Sequence, residues 1–158
     1  MLLCSGKLCP VFLPQLPEPT GWSVDQEASK ANHVSVIVPT GYDYGSAEAV
    51  IYGRAFYNSD KSTIESRAVT SNKEWLSRVK DANIERLADV KRQKGGPSFM
   101  VFRYHNPSNA QQASEMVAFG EDTDKEGNLF GIQVVLTTAS DEALAKNQDA
   151  FFTVLKNY

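Results

Sequence analysis

The stretch LFGIQVVLTTASDEALAKNQDAFFTVLKNY, Leu129 to Tyr158, decides the fold class. In its first part Phe130, Ile132, Val134 and Leu136 alternate with Gly131, Gln133, Val135 and Thr137. Successive strand side chains point to opposite faces, so Leu129–Thr138 reads as a strand with one apolar face and one mixed face. Such a strand suits a sheet buried firmly on one side and partly on the other. Ser140 then offers an N-cap, and Asp141 and Glu142 set carboxylates at the positive end of a helix dipole. Leu144, Phe151, Val154, Leu155 and Tyr158 fall on one face of a helix over 140–157, with Lys146, Asn147 and Asp149 off that face. A strand that feeds at once into an amphipathic helix requires the helix to fold back on the sheet.

Working outward, residues 121–128 read as an acidic turn and 115–120 as the strand before it. Residues 90–93 and 99–104 read as a hairpin around Lys94, Gly95, Gly96 and Pro97. Ser71 and Glu74 form a capping box, S-x-x-E, ahead of Trp75 and Leu76, and the helix they open bends or stops between Ala82 and Leu87. Ala49–Tyr57 is rich in residues that suit a strand, and residues 33–38 make another, with Val34, Val36 and Val38 on one side. Pro10, Pro14, Pro17 and Pro19 fix extended geometry over 1–20, an arm that Trp22 anchors to the body. Short links between the late strands demand antiparallel pairing. The expectation is a single α+β domain over 21–158: a helix-covered antiparallel sheet of about six strands.

The length suits one domain with a sizeable core. A net charge of −3 with no basic face argues against a general nucleic-acid partner. The cluster Lys91, Arg92 and Lys94 stands beside Asp81, Glu85 and Asp89 and reads as a solvated helix end or hairpin. No run approaches the ~18 uninterrupted apolar residues of a membrane span. Leu2, Leu3 and Cys4 look like the tail of an apolar run that Ser5, Gly6 and Lys7 cut short, with no basic stretch ahead. That is not a complete signal peptide; it fits a trimmed remnant of one, or a plain terminus. Cys4 and Cys9 could close a small disulfide loop in an oxidising compartment and would stay thiols in the cytosol. Without companion histidines they do not make a four-ligand zinc site.

Asp122, Asp124 and Glu126, followed by Gly127, resemble the first half of a calcium-binding EF-hand loop. The bidentate glutamate of such a loop would fall at Gln133, inside the strand, and a polar hairpin turn accounts for the same letters. These three are the metal candidates, and no cofactor is expected. His33 and His105 have no metal-ligand partner four residues on and sit in no nucleophile motif. There is no nucleophile elbow, phosphate-cradling loop or dinucleotide fingerprint, so no catalytic residue is named. Tyr42, Asp43 and Tyr44 lie between Gly41 and Gly45, where a loop on a rigid scaffold can carry recognition. They are the candidate binding surface.

Several punctuating residues follow one layout: Gly21-Trp22, the valine strand with Pro39-x-Gly41, the capped helix, the glycine hairpin and the ending Phe151-Phe152-x-Val154-Leu155-x-x-Tyr158. Over residues 15–158 this layout resembles the PsbP/Mog-like superfamily, in the manner of its DcrB-like bacterial members. The resemblance implies an α/β/α sandwich around a central antiparallel sheet, and binding or scaffolding without catalysis. Bacterial members are commonly exported or lipid-anchored, which implies a periplasmic or exported location. The expected function is therefore a non-catalytic binding or accessory module of the bacterial cell envelope, acting through a protein partner. The competing expectation is a cytoplasmic domain with a small-molecule or hydrolytic site around His33 or His105.

Overall fold

The computed structural model describes residues 2–4, 6–107 and 114–158, leaving aside the side chains of 2–4. In chain order the elements are β1 (Leu2–Cys4), β2 (Lys7–Cys9), β3 (Trp22–Val24), α1 (Gln26–Asn32), β4 (Ser35–Pro39), β5 (Ala49–Tyr57) and α2 (Ile64–Arg78). There follow β6 (Asn83–Arg86), β7 (Met100–His105), β8 (Ser114–Thr123), β9 (Leu129–Thr138) and α3 (Asp141–Asn157). The first two strands form a small hairpin, and the other seven make one antiparallel sheet in the order β3-β4-β5-β9-β8-β7-β6. The chain is thus a single α+β domain, and β9 is its central strand.

The alternation in β9 sorts the two faces. On one face Leu136 lies between Ile51 and Met116 across the ladders, and this row packs with Leu144, Phe151, Val154 and Leu155 of α3. Phe151 is fully buried, and burying a ring of that size is worth roughly 3 kcal/mol. On the other face Val135 lies between Tyr52 and Val117, and packs with Phe102, Phe119 and Ala68 of α2. Farther along that face Val36, Val38 and Val50 meet Ala28 of α1. Ser140 caps α3, accepting the Ala143 amide at 3.1 Å. Asn147 departs from the expected polar face: it is buried, and its amide donates to the Ala143 carbonyl within the helix at 2.8 Å.

Helix α2 begins earlier than its Ser71–Glu74 box suggests. Thr63 is the cap, taking the Ser66 amide at 3.1 Å, so Ser71 and Glu74 lie inside the helix. Ala68 is its one buried residue among those described, and polar anchors do much of the holding. Trp75 Nε1 donates to Asn106 Oδ1 at 2.9 Å, and the Tyr104 hydroxyl donates to Asn72 Oδ1. The helix stops at Arg78, and the next residues form β6 on β7 instead of continuing it. The hairpin expected for 90–93 with 99–104 reduces to one bridge, Val90 to Phe99. Arg92 is not solvated: it donates to the Glu121 carbonyl at 3.0 Å, pairs with Asp122 at 3.8 Å and lies 4.8 Å over the Tyr158 ring. In the seven-stranded sheet two strands, β3 and β6, are thus gained and one lost relative to the six expected, and the β1–β2 hairpin is a further addition.

Residues 10–20 carry no helix or strand, yet they are not detached. Leu16 belongs to the α3-side core and packs over Gly53, where an added Cβ would come within 2.9 Å of it. The Ser35 hydroxyl donates to the Pro14 carbonyl, tying the arm to β4.

Candidate binding surface

Strand β5 is longer than its neighbour. It pairs with β9 along its whole length, from Ala49 with Thr138 to Tyr57 with Phe130. It pairs with β4 only as far as Gly53 with Ser35. Residues 54–57 therefore carry the sheet past β4, and here two rings reach solvent. Phe56 is 48% exposed on the α2 face and Tyr57 38% exposed on the other. Exposed neighbouring rings at a strand margin are what recognition surfaces commonly use.

Both rings are held. The Arg54 guanidinium lies 5.1 Å from the Phe56 ring centroid, and its Nε donates to Gln133 Oε1 at 2.6 Å. Gln133 is buried opposite Arg54 in the ladder, so it fixes the guanidinium and, through it, the ring. Tyr57 tilts against Phe130 at 5.8 Å, and Phe12 of the arm stacks on the same Phe130 at 5.1 Å. Val11 and Leu13 beside Phe12 are exposed and widen the apolar surface.

Phe56 is a ridge between two clefts. On the arm side is a slot of about 580 Å³ whose walls include Phe12, His33, Ala55, Tyr57 and Phe130. Toward α2 is a cleft of about 460 Å³ lined by Arg54, Arg67, Thr70, Glu74 and Gln133 among others. Arg67 is spent on structure, donating to the Gly120 carbonyl at 3.1 Å and pairing with Glu121 at 3.7 Å. Gly131 makes room for it, since a Cβ there would lie 2.7 Å from Arg67 Nε. Arg54 makes no ion pair among the described residues. On the same sheet face Glu115 is buried, and that burial pushes its carboxyl up to about 7 against the opposing pull of Thr137 and Arg54. Ionising a buried carboxyl costs its hydration, and one hydroxyl does not replace that.

The residues singled out from sequence fall elsewhere. Tyr42 and Tyr44 are exposed, as a recognition loop requires. Asp43 is occupied within the loop, accepting the Ser46 amide and hydroxyl at 2.9 Å each, which hold its carboxyl below the usual range. The loop is tied to α1 through Asp25, whose Oδ1 caps Ala28 and whose Oδ2 accepts the Tyr44 amide, both at 2.9 Å. Asp122, Asp124 and Glu126 do not converge. Asp122 turns to Arg92, while Asp124 accepts the amides of Glu126 at 3.0 Å and Asn128 at 2.8 Å in a hairpin turn. No group of three His, Cys, Asp or Glu placed to hold a cation occurs among the described residues.

Cys9 is buried and disulfide-bonded, whereas the Cys4 side chain named as its partner lies outside the described residues. His33 caps α1 and lines the slot. His105 stands with Ser114 and Asp141: its Nδ1 is 3.3 Å from Ser114 Oγ and 3.6 Å from Asp141 Oδ1, and the serine hydroxyl donates to that same carboxylate. A nucleophile relay needs serine and acid on opposite ring nitrogens. This cluster instead clamps β7 and β8 to the first turn of α3.

No protein-family model matches the chain, and no curated protein matches it. No helix among the described residues is long and apolar enough to cross a membrane. Sequence reasoning missed Arg54, Phe56 and Tyr57 as surface residues. The available signal was Arg54 itself, a charge on the same strand face as Val50 and Tyr52.

Proposed function

We propose that the chain is a non-catalytic binding or accessory module of the bacterial cell envelope, acting through a protein partner, with the PsbP/Mog-like α/β/α sandwich of DcrB-like proteins. The observation that carries the binding role is the pair Phe56 and Tyr57, exposed on opposite faces at the free end of β5 and held by Arg54, Gln133 and Phe130. Rings fixed before binding lose little entropy on burial, which favours them as interface anchors. Helices on both faces of an antiparallel sheet suit the proposed sandwich. The disulfide at Cys9 suits an oxidising compartment, hence an exported location.

The test is capture from an envelope extract with the wild-type chain and with Phe56→Ser, folding of the variant being checked by circular dichroism. A protein retained stoichiometrically by the wild type and lost with the variant is the expected result. Equal retention by both, or none by either, would overturn the reading.

A further inference from the structure

We propose that the free margin of β5 from Arg54 to Tyr57 takes up a short, extended, apolar segment of the partner as an added strand. The proposal rests on the binding reading above and names its mode.

The phase of β5 decides which backbone groups face the margin. The Asn58 amide donates to the Leu129 carbonyl at 2.8 Å. In an antiparallel strand both polar groups of one residue point to the same side, and alternate residues point to opposite sides. Residues 54, 56 and 58 therefore address β9, and Gly53, Ala55 and Tyr57 address the β4 side. Gly53 meets Ser35 there. Continued register would set Arg54 against Val34 and Ala55 against His33, but those two are withdrawn into the end of α1. His33 is left-handed, with φ 54°, and its amide goes to the Ser29 carbonyl. The Val34 amide goes to that same carbonyl at 3.2 Å. Ala55 and Tyr57 thus present two donors and two acceptors to the slot, with no backbone partner there among the described residues.

The slot also states the chemistry of its occupant. Its walls carry aromatic rings, Ala55 and the arm, and no Asp, Glu, Lys or Arg. A charged side chain entering it would lose hydration without gaining a counter-charge. The ridge at Phe56 and the ring of Tyr57 stand on opposite faces of the margin, so an added strand finds Ala55 and Tyr57 beside it on the slot face and the Phe56 ring, backed by Arg54, on the other. Proteins usually guard such an edge with charge, proline or a covering segment. Here the arm forms one wall of the slot, and Arg54 stands on the opposite face of the strand.

The test uses the full chain and a library of short capped peptides that alternate apolar and neutral polar residues. The tightest peptide is resynthesised with an N-methyl group at each position in turn. Strand addition requires a loss of about tenfold or more at alternate positions and little change between them, because only every second amide faces β5. In the free chain the amides of Ala55 and Tyr57 should exchange with solvent faster than those of Arg54 and Phe56, and should become protected by the peptide. An N-methyl profile without that alternation, no peptide bound, or the margin closed by self-association of the chain would each overturn strand addition. The Phe56-dependent capture would be untouched by such a failure, so the two readings fall separately.

Discussion

Across the β8–β9 ladder Glu115 lies opposite Thr137, whose hydroxyl donates to Glu115 Oε1 at 3.3 Å. Burial raises this carboxyl from 4.5 to about 7, so the folded chain retains a proton that the unfolded chain releases. The contribution of Glu115 to stability is then fully present below about 4.5 and falls as pH rises toward 7, by ~3 kcal/mol in order of magnitude. Glu115→Gln should flatten this dependence and raise Tm above neutral pH. Melts followed across that range would refute the assignment if wild type and variant kept the same slope.

Phe151→Ala should destabilise the chain by about 3–5 kcal/mol, because the ring is wholly enclosed by α3 and the sheet. Denaturant unfolding measures it directly. A near-neutral variant would mean that α3 is not docked as described.

Gly131→Ala should cost about 1–3 kcal/mol by forcing Arg67 off the sheet and away from the Gly120 carbonyl. In an Arg67→Ala background the same change should cost much less. A double-mutant cycle with no coupling would show that the two residues do not meet.

Millimolar calcium should leave the thermal melt unchanged. Asp124 already accepts the Glu126 and Asn128 amides, with the Asn128 side chain donating to its second oxygen at 2.8 Å. A cation would have to break the turn to reach those oxygens. An upward shift of Tm with added calcium would contradict this.

The core of the fold was legible where two signals coincided. In Leu129–Tyr158 the strand alternation, the Ser140 cap and the helical stripe agree, and β9 and α3 form as read. Helix α2 hid its first half because Glu65, Ser66 and Thr70 are exposed and no apolar stripe marks the turn after Thr63. Strand β6 was hidden for a related reason: Ile84 is its one half-buried residue, and an edge strand need not alternate. The exposure of the Tyr42–Tyr44 loop could be read from its glycines. That of Phe56 and Tyr57 could not, since it depends on where β4 ends, and His33 sets that end by capping α1.

The central place of β9 has a consequence for folding. The half-sheets β3-β4-β5 and β8-β7-β6 touch through β9 alone in the ladder order. Until Leu129–Thr138 docks between them, the folding chain therefore holds two raw edges, along β5 and β8, each long enough to pair with another chain. Joining them is a late, non-local step, slow by loop-closure entropy and open to aggregation while it waits.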